Sequence, residues 1–214
     1  MNHESNYCTL YFVRHGQTEW NVQGKIQGSM DSPLTEKGVL QARDLAEKLK
    51  GISFDAVFAS PAGRAQATAE ILAEENKLAI LTTEALRERG WGRFEGALRD
   101  EMNRYITGLS LKYEDLLHHP DGKPLLGQFG IEHNEDVVAR VLTFVREVAV
   151  GYAGKTVLIV THGGVMHSLL LHFDYASFER MPLGSVGNAA FIKLLSDGID
   201  FFLEQVEGVK VRDP

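Results

Sequence analysis

The sequence lacks the features that are typical of secreted and membrane proteins. It contains one cysteine, Cys8, which excludes an intrachain disulfide and fits a reducing compartment. No apolar run approaches the length of about 20 residues that a membrane-spanning helix needs. Residues 1–7 carry neither a basic segment nor an apolar run that would indicate a signal peptide. We therefore expect a cytoplasmic protein without a membrane partner.

An excess of positive charge is also absent. The chain has 22 lysines and arginines against 29 aspartates and glutamates, which gives a net charge of −7. This balance argues against nucleic acid as a partner, although it permits a local basic pocket. Nothing in the composition indicates an oligomeric state.

What the chain does contain is an alternation of β-rich and amphipathic segments. The predicted strands cover residues 10–13, 54–59, 78–81 and 156–161, followed by a closing hairpin at 189–195 and 199–206. Helices are predicted between them, with N-caps at Thr35, Ser60 and Asn134 and a further start at Gly163. This order predicts one three-layer α/β domain over residues 1–214, with a mostly parallel central sheet and helices on both faces.

One segment interrupts the alternation. Residues 97–133 begin with a predicted helix at 98–106 and continue as a polar, irregular stretch with several prolines and glycines. Because so long an insertion in a compact domain is usually functional, we expect a cap or lid at about residues 97–133. Its candidate substrate contacts are Tyr105, Lys112, Tyr113 and Lys123, and the pair His118 and His119 is expected on its surface.

The first predicted strand ends abruptly in Arg14, His15 and Gly16. The carboxyl ends of parallel strands are the edge where open α/β sheets bind ligands. Arg14 has a planar, permanently charged fork that suits phosphate oxygens, and His15 has a nucleophilic nitrogen. Gly16 lets the backbone turn sharply and approach a ligand closely. This junction therefore predicts an anion site that contains a nucleophile.

Later junctions supply complementary groups. Arg64 lies in the first turn of a predicted helix, Glu88 lies in a glycine-rich loop, and His162 precedes Gly163 after the most β-rich run. Two arginines, two histidines and one glutamate are suited to phosphoryl transfer through a histidine. In that chemistry His15 attacks phosphorus, the arginines screen the oxygens, and Glu88 gives a proton to the leaving alkoxide. His162 and the Gly163 amide would bind the remaining oxygens.

Five stretches of the chain resemble motifs of the histidine phosphatase superfamily, in the branch that includes the cofactor-dependent phosphoglycerate mutases. They are RHGQTEWN (residues 14–21), IQGSMDSPLTEKG (26–38), FASPAGRAQATA (58–69), LRERGWGRFEG (86–96) and VTHGG (160–164). The resemblance implies that His15 is the phosphorylated nucleophile and Glu88 the general acid. It also implies that no metal or other cofactor is needed. It implies that Arg14, Arg64 and His162 form the phosphate pocket, with Asn21 as a supporting contact. The full set of candidate substrate- and phosphate-binding residues is Arg14, Asn21, Gln27, Gly28, Arg64, Glu88, Trp91, His162 and Gly163.

The resemblance leaves two enzymatic activities open. A mutase needs a second anion site for its bisphosphate, which the family builds from an arginine pair in the inserted segment. Here residues 100–133 contain only Arg104, Lys112 and Lys123 as cations, and the segment is net acidic. We therefore expect a phosphomonoesterase that acts on a small phosphorylated metabolite.

Other interpretations of the same residues are weaker. A phospho-ligand binding module would have no need of Glu88, and Glu95 is a rival candidate for the acid role. A metal site built on His162 and His167, with His118, His119 and His133 as extra ligands, does not match the ligand spacing of known zinc sites.

Overall fold

The computed structural model describes residues 7–74, 77–108 and 122–213. Its elements, in chain order, are β1 (Cys8–Arg14), α1 (Glu19–Val22), α2 (Glu36–Lys48), β2 (Ala56–Ala59), α3 (Gly63–Ala73), β3 (Ile80–Thr82), α4 (Arg99–Gly108), α5 (Gly122–Gln128), α6 (Asn134–Gly151), β4 (Thr156–Thr161), α7 (Gly163–His172), β5 (Val186–Ser196) and β6 (Phe201–Val209). Short 3₁₀ turns form at Glu84–Leu86 and Gly92–Phe94. No helix within the described ranges has the length and apolar character needed to cross a membrane.

The described strands form one sheet in the order β3-β2-β4-β1-β5-β6. Strands β3, β2, β4 and β1 are parallel, whereas β5 and β6 are antiparallel additions at one side. This arrangement confirms the predicted single α/β domain with a mostly parallel sheet and a closing hairpin.

Alternate residues of β1 point to two separate cores. Leu10 and Phe12 pack in one apolar cluster with helices α6 and α7. Tyr11 and Val13 pack in the other cluster with helices α2 and α3. The period of two along a strand therefore places helices on both faces of the sheet, as predicted.

Several helix starts differ from the prediction. Thr35 caps α2 as expected, since its hydroxyl accepts from the Gly38 amide at 3.0 Å. Ser60 does not cap α3, which begins at Gly63, because the Ser60 side chain is hydrogen-bonded to His162. Helix α6 is capped by His133, one residue before Asn134, through the His133 ring. The sequence pattern also predicts that helix α3 continues to about Glu75, a residue that lies outside the described part of the chain.

A third apolar cluster joins the inserted segment to the loop that carries Glu88. Met102 and Ile106 of α4 and Leu126 of α5 pack there against Trp91 and Phe94. Helix α5 occupies part of the stretch predicted to be irregular. Residues 109–121, which include Lys112, Tyr113, His118 and His119, lie outside the described part of the chain. The limits of the cap at about residues 97–133 therefore remain a prediction.

Two glycines bring the loop that follows His15 against the start of α2. A Cβ added to Gly16 would lie 2.4 Å from the Gly38 carbonyl oxygen. One added to Gly38 would lie 2.1 Å from the Gln17 carbonyl oxygen. Because both neighbours are backbone atoms, neither clash can be relieved by a side-chain rotation.

Gly38→Ala is expected to lower the free energy of unfolding by about 1–3 kcal/mol, since the methyl group overpacks this contact. The matched control is Gly151→Ala at the end of α6, where an added Cβ meets nothing within 4 Å. There the higher helix propensity of alanine should leave stability unchanged or raise it by up to about 1 kcal/mol. Urea denaturation measures both changes. Equal stabilities for the two variants would contradict the close backbone contact.

Candidate active site

The strand register places the two candidate histidines side by side. Arg14, the last residue of β1, pairs with Thr161, the last residue of β4, and the amide of His15 donates to the Thr161 carbonyl at 3.1 Å. The residues that follow, His15 and His162, therefore leave the same edge of the sheet together. Their ring centroids are 5.2 Å apart.

The buried His15 ring is held with one nitrogen unused. His15 is 2% exposed, and its Nδ1 lies 2.8 Å from the Gly16 carbonyl oxygen. Because a carbonyl only accepts, we infer that Nδ1 carries the proton and Nε2 has the free lone pair. Burial, followed by the charges of Arg14 and Arg64, lowers the pKa of His15 well below 6.5. The ring is therefore neutral near pH 7, as a nucleophile must be.

The hydroxyl group of Ser60 orients the ring of His162. The Ser60 amide donates to the Val160 carbonyl, which sets its hydroxyl 2.7 Å from His162 Nε2. The hydroxyl oxygen also accepts from the Ala62 amide at 3.3 Å, so its hydrogen is available to His162. Burial, followed by the charge of Arg64, lowers the pKa of His162 well below 6.5. We infer a neutral ring that accepts at Nε2 and carries its proton on Nδ1.

Arg14, which is half-buried, and Arg64, which is buried, bring two positive charges to this edge. Arg14 Nη1 donates to the Val186 carbonyl at 2.5 Å. Burial lowers the pKa of Arg14 to about 10, although the nearby Glu88 charge opposes that effect. Arg64 is 1% exposed. It donates to the carbonyls of Met30 and Gly28 and to the Asp31 carboxylate, at 2.7–2.9 Å.

Three buried nitrogens at this edge have no hydrogen-bond partner among the described residues. They are Arg14 Nε, Arg64 Nε and His162 Nδ1. In the inferred protonation states, all three are N–H donors. Since buried polar groups are generally hydrogen-bonded, three donors without partners fit a site for a tetrahedral oxyanion.

The side-chain carboxylate of Glu88 contacts the N-terminus of helix α7. Its Oε1 accepts from the Arg89 amide at 2.8 Å, and its Oε2 accepts from the Gly164 amide at 3.2 Å. The rival Glu95 accepts from the Trp91 amide and the Ser29 hydroxyl and does not line the pocket. The geometry therefore supports Glu88 as the candidate acid.

A pocket opens above these groups. Of the predicted site residues, its wall contains Arg14, His15, Asn21, Gln27, Gly28, Glu88, Trp91 and Gly163. Arg64 and His162 are buried and are not part of the lining surface. Asn21 is oriented by its Oδ1, which accepts from the Thr18 amide at 3.2 Å and from Asn188 at 3.0 Å.

Two positively charged side chains that line the pocket were not predicted from the sequence. Lys25 and Arg99 line the pocket, and so do His167 and Met102. Lys25 and Arg99 flank stretches that resemble the family, yet only the path of the loops brings them to the pocket. In contrast, Tyr105 packs against Phe94 and Phe129, and Lys123 pairs with Asp136. Neither of these expected substrate contacts is in the wall.

The histidines proposed as metal ligands make other contacts. His167 Nε2 lies 2.7 Å from the Met181 carbonyl, and His133 caps α6. Within the described ranges no three His, Cys, Asp or Glu side chains form a group that could hold a metal ion.

Comparison with known proteins identifies the family. The model of the histidine phosphatase superfamily (branch 1) matches residues 10–207. The uncharacterized phosphatase PhoE of Bacillus subtilis is 36% identical over 159 residues, which cover 74% of this chain and 73% of the relative. The crystal structure of a phosphoglycerate mutase from Bacillus anthracis superposes with a TM-score of 0.81 at 32% identity, covering 95% of this chain and 94% of that one.

A third similar structure is a phosphoserine phosphatase from Entamoeba histolytica in complex with 3-phosphoglyceric acid. It has a TM-score of 0.75 and 25% identity, and the alignment covers 93% of this chain and 96% of that one. The chain belongs to branch 1 of the histidine phosphatase superfamily. Its relatives are named as phosphatases and as phosphoglycerate mutases.

The lowered pKa values of His15 and His162 make stability depend on pH. Below the unfolded pKa of about 6.5 the unfolded chain binds more protons than the folded chain, so stability falls as the pH falls. When the pH is lowered from about 7 to about 5.5, each histidine should lower the free energy of unfolding by roughly 1 kcal/mol. His15→Gln and His162→Gln should each remove that share.

Urea denaturation across this pH range measures the effect. The control is Asn103→Gln, which changes an exposed side chain without a titratable group and should leave the pH dependence unchanged. If neither His15→Gln nor His162→Gln altered the slope, the two rings would not be held neutral by burial.

Proposed function

We propose that the protein is a metal-independent phosphomonoesterase that hydrolyses small phosphorylated metabolites through a phosphohistidine on His15. The observation that carries this proposal is the free Nε2 of a buried, neutral His15 beside three unpartnered N–H donors and the Glu88 carboxyl. Membership of a family with named phosphatases supports the same conclusion.

In the first step, His15 Nε2 attacks phosphorus and the ester P–O bond breaks. Arg14, Arg64 and His162 donate to the non-bridging oxygens, where negative charge is concentrated. The protonated Glu88 carboxyl gives its proton to the leaving alkoxide, which departs as the alcohol. Removal of one preorganised donor of this kind typically costs about 100- to 1,000-fold in rate.

In the second step, water attacks the phosphohistidine. Glu88, now ionised, takes a proton from that water as the P–N bond breaks. Inorganic phosphate leaves, and both His15 and Glu88 return to their starting protonation states. The same carboxyl serves both steps because it lies against the amide of Gly164, at the edge that also carries His15.

The pocket wall also indicates the kind of substrate. Lys25 and Arg99 add positive charge beyond the groups assigned to the phosphate. Arg14 and Arg64 already provide the positive charge that screens the phosphate, so Lys25 and Arg99 are not needed for that purpose. We therefore propose that the substrate carries a second anionic group, such as a carboxylate, bound by Lys25 and Arg99. The 3-phosphoglyceric acid bound by the Entamoeba histolytica relative has this chemistry.

The same two cations keep the mutase alternative open. The sequence-based preference for a phosphatase rested on the cations of residues 100–133, a range that excludes both Lys25 and Arg99. Named mutases also occur among the relatives. A mutase would isomerise a phosphoglycerate only when primed with the bisphosphate, whereas a phosphatase would release phosphate. The binding-module alternative gains no support, since a pure binder needs no Glu88.

His15→Ala should abolish hydrolysis of 4-nitrophenyl phosphate measured in excess EDTA, because no other group in the site replaces the nucleophile. Quenching the unmodified protein with labelled substrate should trap an acid-labile, base-stable phosphoryl group that is missing from His15→Ala. His172→Ala, at an exposed position, should retain full activity. Turnover that survived His15→Ala, or that stopped with EDTA, would refute the proposal.

Lys25→Met and Arg99→Met should raise KM for phosphorylated carboxylic acids by roughly 10- to 100-fold, as expected for a lost charge-assisted hydrogen bond. KM for 4-nitrophenyl phosphate, which has no carboxylate, should change little. Arg43→Met on the exposed surface of α2 is the charge-matched control. Equal effects on both substrate types would contradict a second anion subsite.

A further inference from the structure

Glu132 lies outside the pocket wall, yet it receives an unusual number of hydrogen bonds. Its side chain is 12% exposed. Arg87 forms a bidentate pair with it at 2.8 and 2.9 Å. Arg140 donates to it through Nε at 2.9 Å and Nη2 at 3.1 Å, and the Gly90 amide donates at 3.0 Å. One carboxylate thus joins helix α6 to both sides of the loop that carries Glu88.

The two arginines that hold Glu132 also hold the Glu88 backbone. The Glu88 carbonyl accepts from Arg87 Nη1 at 3.2 Å and from Arg140 Nη2 at 3.4 Å. Arg140 Nη1 additionally donates to the Ala85 carbonyl at 2.7 Å. Two guanidinium groups therefore fix the carbonyl end of the Glu88–Arg89 peptide.

The other side of that peptide is fixed by Glu132 itself. The Glu132 amide donates to the Gly90 carbonyl at 2.9 Å, while its carboxylate accepts from the Gly90 amide. Between these two anchors lies the Arg89 amide, which donates to the Glu88 carboxyl. A shift of the backbone at residues 88–90 would therefore displace the Glu88 carboxyl, which is the candidate acid.

Glu132 stays charged across the working pH range. Burial by itself would raise the pKa of Glu132, but hydrogen bonds from Arg140 and Arg87 outweigh it and lower the pKa to about 2. The ionised carboxylate also provides the negative charge that lets Arg87 and Arg140 approach the same carbonyl.

We propose that Glu132 is a positioning residue for the general acid, because it clamps Arg87, Arg140 and Gly90 around Glu88. This inference rests on the proposed function, in which Glu88 protonates the leaving group. It assigns Glu132 no contact with the substrate, and its effect passes entirely through the placement of Glu88.

The dependence on leaving group separates positioning from a general structural role. An alkyl phosphate has a poor leaving group that needs the proton of Glu88, whereas 4-nitrophenolate departs with little help. The ratio kcat/KM reports steps up to departure of the alcohol and is therefore the quantity to compare. A variant that misplaces the acid should lose activity selectively with the alkyl ester.

Glu132→Gln should lower kcat/KM for an alkyl phosphate by roughly 10- to 100-fold and that for 4-nitrophenyl phosphate by less than about threefold. Glu88→Gln should show the same selectivity with a larger loss. The double variant should lose no more than Glu88→Gln alone, since both changes remove one function. The control Asp136→Asn removes an exposed carboxylate of helix α6 that pairs with Lys123 of helix α5, and it should leave both ratios unchanged.

Arg140→Lys provides a second variant if Glu132→Gln is unstable. It keeps the positive charge but cannot bond Glu132, Ala85 and Glu88 with one planar fork, so the same selective loss is expected. A crystal structure of either variant should show Glu88 displaced from the amides of Arg89 and Gly164.

Several results would overturn the inference. Equal losses with both esters would assign Glu132 a general structural role, and so would additive losses in the double variant. An undisplaced Glu88 in the crystal would do the same. Failure of the proposed function looks different, because the unmodified protein would then hydrolyse neither ester or would do so without His15.

Discussion

The removal of two guanidinium groups from water beside two imidazoles is the constraint on which the site depends. Arg14 and Arg64 lie next to His15 and His162 at one buried edge of the sheet, and their charges oppose protonation of either ring. Two protein carboxylates face these charges, namely Asp31 on Arg64 and Glu88 near Arg14. In the proposed mechanism Glu88 is protonated at the start, so one of the two positive charges is left for the phosphoryl group. The proposed arrangement would thus keep His15 neutral and also attract the electrophile.

The sheet register makes this arrangement possible. Because β1, β4 and β2 are neighbouring parallel strands that end at the same level, the residues after them share one edge. His15, His162 and Ser60 are those residues, and hydrogen bonds to Gly16 and Ser60 then orient the two rings. Gly16 and Gly38 allow the backbones to approach closely enough to hold the nucleophile's loop in place.

The sequence predicted that Arg14, His15 and His162 would lie at one edge of the sheet, and the reason is physical. Arg14, His15 and His162 lie at or directly after strands, and strands are recognisable from their apolar period of two. Lys25, Arg99 and Glu132 had no such signal, since their positions depend on loops whose paths follow from tertiary packing. Glu132 meets Arg87 across a separation of 45 residues, and no local pattern encodes that pairing. Ser60 resembled a helix cap because its local sequence fits one, but its hydroxyl bonds to His162.

In the proposed mechanism, hydrolysis and mutase chemistry diverge only after His15 has been phosphorylated. Both activities share the first step, and they differ in whether water or the dephosphorylated product reaches the phosphohistidine next. A mutase must therefore retain the product, which requires binding groups away from the phosphate and a cover that excludes water. The proposed anion subsite of Lys25 and Arg99 would provide such binding groups. Trp91 and Met102 belong both to the pocket wall and to the apolar cluster that holds helices α4 and α5. In the proposed function, the loops and helices of the pocket wall would therefore control both substrate selection and water access, while the sheet edge would carry the phosphoryl chemistry.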